Sequence, residues 1–350
     1  MARQLASHCV LRFALWDMDS KTGERMVRRK IMRISEAVRG YLLAKTADGY
    51  SPHTLALYRN MLKLFIEHVS DLELGDVTPA CVQGFAAWLR GGYVPHRFSG
   101  ETKPYAMSSF YNAWCSQRSF WKWAAQELGV KRPDLIWHRP CFKRPETMPL
   151  SQDEVSRLLH AAEHSRPAST ERRRTFQMRR PTAARDRALL LLLLDTGLRV
   201  SECARLRVRD VNLETGEVYV QPWGTGRKTK SRHVYLGNAS RKAIWKYLSQ
   251  RETHADDLLF LTDEGRPMDR NSIRLLLAHM GKRAGVSNVH PHRLRHTFAI
   301  TFLRNGDDVF SLQRLLGHAT LDMVKNYLAL ADSDSATAHR QASPCDRWHL

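Results

Sequence analysis

The stretch TGLRVSE at residues 196–202 is the most informative part of this 350-residue chain. Two further motifs follow in a fixed order: HRLRH at residues 292–296 and LGH at residues 316–318, with Tyr327 nine residues after the last of these. Together the motifs supply arginines, histidines and a tyrosine hydroxyl. Arginine is planar, always charged and able to form paired hydrogen bonds with phosphate. The set therefore indicates transfer of a phosphoryl group to a tyrosine.

Charge indicates a polyanionic partner. The chain is 43% hydrophobic and 26% charged, as in ordinary globular proteins, but its net charge is +20. Residues 1–150 carry +9 and the remainder +11, so the positive charge is spread over both halves. Nucleic acid is the commonest polyanion that two such regions could bind together. The alternative is a generally basic surface that has no partner.

Cysteine use and hydropathy favour a cytoplasmic protein. The six cysteines are scattered without a Cys-x-x-Cys pair, which is typical of reduced, mostly buried thiols. The apolar stretch at residues 9–16 is interrupted by Arg12 and followed by Asp17, which is unlike a signal peptide. The longest apolar run, residues 188–194, is far below the roughly 20 residues that span a bilayer. It predicts a buried core helix.

The pattern along the chain predicts two folded domains joined by a linker that is rich in proline and basic residues. Two of the basic residues in the linker, Lys143 and Arg144, are predicted to contact DNA phosphate. In chain order the predicted regions are a flexible basic arm (1–33), a helical domain (34–130), the linker (131–150), a second domain (151–330) and a polar tail (331–350).

Local signals define several helices and strands. Ser51-Pro52 and Thr78-Pro79 each predict a helix start, and Ser151 with Glu154 predicts a capping box. Aromatic residues at helical spacing in residues 110–123 are expected in the core. Residues 217–220 and 233–236 alternate like two strands joined by a basic hairpin loop. Residues 164–187 hold eight arginines and two acids; a solvated loop and an insertion that contacts the DNA backbone are equally favoured.

The three motifs resemble those of the tyrosine recombinase (phage integrase) family, and the resemblance covers residues 151–330. The preceding helices resemble, in general pattern only, the SAM-like core-binding domain of that family. The resemblance implies a mainly α fold with a small antiparallel β-sheet (α+β), arranged as a two-domain C-shaped clamp. It also implies site-specific DNA recombination through a 3′-phosphotyrosyl intermediate and a Holliday junction, with no metal or nucleotide cofactor.

The resemblance assigns roles around the scissile phosphate. Tyr327 matches the nucleophile, whose phenol has a pKa near 10 and needs help to lose its proton. Arg199 and Arg295 match the arginines that grip the non-bridging oxygens as charge develops in the transition state. Glu202 matches the carboxylate that orients the first arginine.

The resemblance also implies how protons move. His292 is predicted to accept the proton of Tyr327, and His318 to donate a hydrogen bond to the phosphate. Lys230 has the usual spacing of the family's general acid, which protonates the leaving 5′ oxygen, and Lys228 is its rival. Thr225 stands where many relatives have another lysine, a departure that we expect to affect DNA contact rather than chemistry.

Arg227, Lys228 and Arg232 of the hairpin are predicted DNA contacts. His292 and His296, four residues apart, could instead suggest zinc. The neighbouring sequence offers no third ligand, so we predict no metal site and a structural role for His296.

The predicted partner is double-stranded DNA at specific recombination sites, in the cytoplasm at the nucleoid. We expect a monomer in solution and a homo-tetramer on synapsed DNA, with accessory DNA-bending proteins and no membrane contact. Integration or excision of a mobile element is favoured over a housekeeping role. Two alternatives use the same residues or fewer of them: a strand nicking-closing enzyme like the type IB topoisomerases, and a catalytically inactive DNA-binding regulator.

Overall fold

The computed structural model describes residues 32–95, 104–142, 147–170, 173–222, 231–306 and 308–317. The chain divides into two compact units, Met1–Arg144 and Pro145–Leu350. The predicted tail and nearly all of the predicted arm lie outside the described residues. Within the described ranges, none of the helices combines the length and the apolar character that crossing a membrane requires.

The first unit is helical. Ser51 caps its second helix as predicted, because the hydroxyl accepts the backbone N–H of Thr54 at 3.2 Å. Thr78 precedes the third helix as predicted, but its hydroxyl contacts Cys81 Sγ at 3.4 Å rather than a backbone N–H. The described helices are α1 (Ile34–Ala47), α2 (Pro52–Val69), α3 (Pro79–Gly91) and α4 (Met107–Leu128), with 3₁₀ turns at Leu74–Asp76 and Pro133–Ile136.

Aromatic side chains fill the core of this unit. Phe120 and Trp121 of α4 are fully buried, as the helical spacing predicted. Trp121 meets Phe65 of α2 edge to face, with ring centroids 6.4 Å apart. Trp114 and Trp123 pack on the core but stay partly exposed. Large flat rings thus bury much apolar area between the four helices that the structure describes here.

The second unit is mainly helical, with two small antiparallel hairpins in the described ranges. The predicted hairpin is present, and its second strand begins one residue earlier than predicted. The capping box is also confirmed, with Ser151 and Glu154 bonded reciprocally at 3.1 and 2.9 Å. The elements are α5 (Gln152–Glu163), β1 (Ala168–Thr170), β2 (Arg173–Phe176), α6 (Ala183–Thr196), α7 (Val200–Cys203), β3 (Glu217–Val220), β4 (Arg232–Tyr235), α8 (Asn238–Leu248), α9 (Arg270–Ala284), α10 (Pro291–Arg304) and α11 (Val309–Leu316).

The leucine-rich run forms the central helix α6, as predicted. Leu189, Leu190 and Leu192 are fully buried. Helices α5, α8 and α10 pack around α6. A helix that is apolar on nearly every side needs such neighbours all round. This packing fixes the C-terminal end of α6, where the first motif begins.

The arginine-rich segment is part hairpin and part helix. Its first half contains β1 and β2, joined at their base by a bridge between His164 and Arg179. Its second half runs into α6, where Arg180 and Arg185 pair with the buried Asp186. Arginines of this second half therefore stabilise the fold, and the two predicted interpretations apply only to the hairpin.

Candidate active site

The turn at Gly197 sets the position of the first motif. Gly197 has a φ of +60° and ends α6 in the left-handed conformation. A Cβ here would collide with the Phe298 ring and lie 2.9 Å from Leu316 Cδ2. Glycine alone therefore lets the end of α6 approach α10 and α11 this closely. Leu198 then enters the core and Arg199 becomes the N-cap of α7.

Glu202 lies at the centre of a buried ionic cluster. Its Oε1 accepts hydrogen bonds from Arg199 Nη1 and Arg232 Nη1, each at 3.0 Å. Its Oε2 accepts from the Arg199 backbone N–H at 2.9 Å and from Arg232 Nη2 at 2.8 Å. Burial alone would raise the pKa of Glu202, but Arg232 and Arg199 outweigh it and lower the pKa to about 2. The carboxylate is thus ionised and fully occupied.

The second motif lies at the start of α10. Pro291 takes the first helical position and the His290 ring accepts the Arg293 N–H at 3.2 Å, so the helix start is fixed. Its two arginines point to different partners. Arg293 binds the carbonyls of Met148 and Ser287 at 3.0 and 2.6 Å, whereas Arg295 turns toward the first motif.

Three arginines from three elements converge on the C-terminal end of α11. Arg232 Nε donates to the Leu315 carbonyl at 2.7 Å, Arg295 Nη2 to Leu316 at 2.8 Å, and Arg199 Nη2 to Gly317 at 3.4 Å. Cations suit this position because the last carbonyls of a helix carry partial negative charge. Arg295 also donates to the Gly197 carbonyl at 2.6 Å, which joins the first motif to the second and third.

His292 lies on the exposed side of this arginine cluster. Partial burial lowers its pKa, and the charges of Arg295, Arg274 and Arg199 lower it further. At neutral pH the imidazole is therefore uncharged and able to accept a proton. The zinc alternative gains no third ligand in the part of the chain that the structure describes: no group of three histidine, cysteine or acidic side chains there could hold a metal ion.

Comparison with known proteins agrees with these motifs. The model of the phage integrase family matches residues 149–334. The tyrosine recombinase XerC of Escherichia coli O157:H7 is 30% identical over 300 residues, which cover 84% of this chain and 91% of that protein. XerC of Bacillus subtilis is 34% identical over 223 residues, covering 60% of this chain and 66% of that protein.

The chain belongs to the phage integrase family of tyrosine recombinases. Solved structures of other recombinases share its fold. The Tn1549 transposon integrase in complex with a circular intermediate DNA gives a TM-score of 0.67 at 18% identity, covering 87% of this chain and 98% of that chain. A lambda integrase dimer bound to a core site gives 0.63 at 17% identity, covering 85% and 77%. The recombinase is mainly helical with small antiparallel hairpins, as the resemblance implied.

The structure brings together part of the predicted site. Arg199, Glu202, His292 and Arg295 form one cluster around the end of α11. Apart from Arg232, the other predicted site residues lie outside the described residues: they are Lys143, Arg144, Arg227, Lys228, Lys230, His318 and Tyr327.

Arg232 requires a correction. It was predicted as a DNA contact of the hairpin, but its side chain is only 9% exposed and lies against Glu202. The hairpin alternation places residue 232 at the start of β4, and β4 packs on α11, so the guanidinium points into the unit. Arg232 is therefore an internal partner of the carboxylate in this structure.

Arg274 is a charged residue near the candidate site that the sequence motifs did not identify. It is an exposed cation of α9 whose charge lowers the pKa of both His290 and His292. No motif marks it, because it stands 18 residues before His292 on a separate helix. Its position on the exposed face of α9 is visible only once α9 and α10 are folded together.

Proposed function

We propose that this recombinase cuts and rejoins DNA at a specific site with Tyr327 as the nucleophile. The observation that carries the proposal is the convergence of Arg199 and Arg295 beside the neutral His292, at the helix end that directly precedes His318. Two guanidiniums and a proton acceptor are what a phosphodiester under attack by a phenol needs.

The proposed reaction balances without a cofactor. Tyr327 Oη attacks the phosphorus while its proton passes to His292, and the bond from phosphorus to the 5′ oxygen breaks. Lys230, or its rival Lys228, gives a proton to that oxygen. The 3′-phosphotyrosyl link keeps the energy of the broken ester, so the reverse attack by a 5′ hydroxyl rejoins the strand without ATP.

When DNA binds, Arg199 and Arg295 exchange their present hydrogen-bond acceptors for phosphate oxygens. In the structure Arg199 and Arg295 bind backbone carbonyls at the end of α11, and Arg295 also binds the Gly197 carbonyl at the end of α6. Phosphate oxygens are stronger acceptors because they carry charge. The Arg199 side chain is 30% exposed and open to such a ligand, whereas Arg295 is 4% exposed. The end of α11 must therefore adjust before Arg295 meets phosphate.

The proposed assembly on DNA is the one that the family resemblance implies. Two protomers bind each recombination site, with Lys143, Arg144, Arg227 and Lys228 on the DNA backbone. Four protomers exchange strands through a Holliday junction, with help from DNA-bending proteins, in the cytoplasm at the nucleoid. Integration or excision of a mobile element is the proposed biological role.

The test is covalent capture on nicked suicide duplexes taken from the DNA that flanks the gene, resolved under denaturing conditions. Wild type should give a shifted band, Tyr327→Phe none and Arg295→Ala little. Tyr235→Phe is the matched control, since Tyr235 is a 59% exposed tyrosine of the same unit; it should behave as wild type.

Other outcomes identify the alternatives. An adduct with Tyr327→Phe would refute the nucleophile assignment. Relaxation of any plasmid by a monomer, without a required site, would indicate a topoisomerase-like enzyme. Salt-sensitive binding of the same duplexes with no adduct would indicate an inactive DNA-binding regulator.

A further inference from the structure

One guanidinium, that of Arg232, joins three elements of the active-site unit. Its Nη1 and Nη2 donate to the two carboxylate oxygens of Glu202 at 3.0 and 2.8 Å, and its Nε donates to the Leu315 carbonyl at 2.7 Å. The side chain is 9% exposed and the Glu202 side chain 4%. All three nitrogens of a buried cation are thus used, two of them on Glu202 and one on Leu315.

The end of α11 is shaped around this guanidinium. Gly317 ends the helix with a φ of +63°. A Cβ at Gly317 would lie 3.1 to 3.3 Å from Arg232 Nη1, Cδ and Cζ. A larger residue would therefore push the arginine away or shift the helix end, so the glycine of the LGH motif makes room for Arg232.

Arg232 also fixes the orientation in which the Glu202 carboxylate binds Arg199. The four hydrogen bonds of Glu202 come from Arg199 and Arg232, two from each. A carboxylate has about four acceptor positions, so both oxygens are saturated and cannot rotate without losing a charge-assisted bond. Arg232 thereby fixes the carboxylate, and the carboxylate fixes Arg199 by both its guanidinium and its backbone N–H.

We propose that Arg232 is a positioning residue of the strand-cleavage reaction, holding Glu202 against Arg199 and holding the end of α11 that precedes His318. The inference rests on the proposed function. In sequence Arg232 stands two residues after Lys230, so it also anchors the hairpin strand that follows the candidate general acid. Lysine could not replace it, because one ammonium group lacks the planar fork that reaches both Glu202 and Leu315.

Loss of Arg232 should change how the cleavage rate depends on pH. Glu202 is faced by the charges of Arg199, Arg205 and Arg232, with the Cys203 thiol beside it. Of these, Arg232 provides the largest attraction opposing the burial of the carboxylate. Without it, burial raises the pH at which Glu202 takes up a proton. A protonated Glu202 holds Arg199 less firmly, so cleavage should fall on the acid side.

The experiment compares Arg232→Gln and Arg232→Lys with wild type in single-turnover cleavage of the nicked duplex, across pH 5 to 8. Cleavage by Arg232→Gln should slow by about 100-fold, a loss that a 1 Å misplacement of a catalytic group can cause. It should slow further toward pH 5, while the wild-type rate changes less. Arg232→Lys keeps the charge and should still slow by at least about tenfold.

DNA affinity is measured in the Tyr327→Phe background and should stay within about twofold of the parent. The matched control is Arg241→Gln, which removes an arginine that binds the Leu213 and Glu214 carbonyls away from the site; the folded fraction should cleave at the wild-type rate. Adding Glu202→Gln to Arg232→Gln should slow cleavage little more, because the two act as one unit.

If folded Arg232→Gln or Arg232→Lys cleaved DNA at the wild-type rate, the proposal would be overturned. So would a loss of affinity that accounts for the slower cleavage, which would restore Arg232 as a DNA contact. A wild-type protein that forms no adduct would overturn the proposed function itself and this inference with it. An active wild type with equally active variants would overturn the role of Arg232 alone.

Discussion

At the scale of single residues, Gly197 shows why the first motif contains a glycine. Gly197→Ala should destabilise the protein by about 3 kcal/mol or more, because a left-handed non-glycine residue costs about 1–3 kcal/mol before any clash. The added methyl would also meet Phe298 and Leu316. Urea unfolding measures the loss.

Gly265→Ala is the control for this prediction. Gly265 has a φ of +75° but nothing within 4 Å of its Cβ position. Its substitution should cost only the backbone strain. Equal losses for the two variants would show that the contact of α6 with α10 and α11 does not require glycine.

Glu202 should make stability depend on acid pH. Its pKa is lowered from 4.5 to about 2 in the folded protein, so the ionised carboxylate stabilises the fold by on the order of 3 kcal/mol. This contribution is complete above about pH 5 and is lost as the pH falls toward 2, because the unfolded chain takes up its proton first.

Urea unfolding of wild type and Glu202→Gln at pH 7, 5 and 3 tests that link. The difference in free energy of unfolding should shrink toward pH 3. Glu217→Gln serves as the control, since Glu217 is 43% exposed and pairs with His233 at the surface; its effect should stay below about 1 kcal/mol. A wild-type advantage that stays constant across the range would contradict the prediction.

His292 should titrate below the ordinary histidine range. Its pKa is lowered by partial burial and by Arg295, Arg274 and Arg199, so the neutral form prevails at pH 7. Arg274→Gln removes one of these charges and should raise the midpoint seen by NMR titration. Arg266→Gln, which removes an exposed arginine paired with Glu264, should leave it unchanged. A midpoint that does not respond to Arg274→Gln would place that charge away from the imidazole.

At the scale of secondary-structure elements, α10 both carries the second motif and ties down the start of its unit. Arg293 binds the Met148 carbonyl and the Glu154 carboxylate of α5, and is 9% exposed. Arg293→Gln leaves buried carbonyls and a carboxylate with fewer donors, so it should cost about 3–5 kcal/mol. Arg157→Gln breaks another ion pair of α5, with the 79% exposed Asp153, and should cost less than about 1 kcal/mol. Thermal unfolding would contradict this role if the two variants melted alike.

Elements marked by local sequence signals could be predicted, whereas the contacts between residues far apart in the sequence could not. The capping box of Ser151 and the leucine-rich helix depend on neighbouring residues, and both were predicted correctly. The burial of Arg232 depends on Leu315, 83 residues away, and the Arg199 contact with Gly317 spans 118 residues. From sequence alone, a basic hairpin in a basic chain predicts a DNA-binding surface. The fold shows otherwise for one of its arginines, because it places that arginine beside a buried carboxylate.

At the scale of the whole molecule, charge should govern DNA affinity. Residues 1–150 carry +9 and residues 151–350 carry +11, so both regions can neutralise phosphates. If about 6–10 phosphates are contacted, affinity should fall about 10³- to 10⁵-fold between 50 and 200 mM salt. Fluorescence anisotropy with the Tyr327→Phe protein measures this fall without cleavage.

The predicted linker should account for part of that salt dependence. Replacing both Lys143 and Arg144 by glutamine removes two proposed phosphate contacts, so the slope of log K against log salt should become shallower by about 2. The control replaces Arg157 and Arg266, which already pair with Asp153 and Glu264. It removes the same net charge and should leave the slope unchanged. Equal changes in both variants would mean that overall charge, rather than the linker, sets the salt dependence.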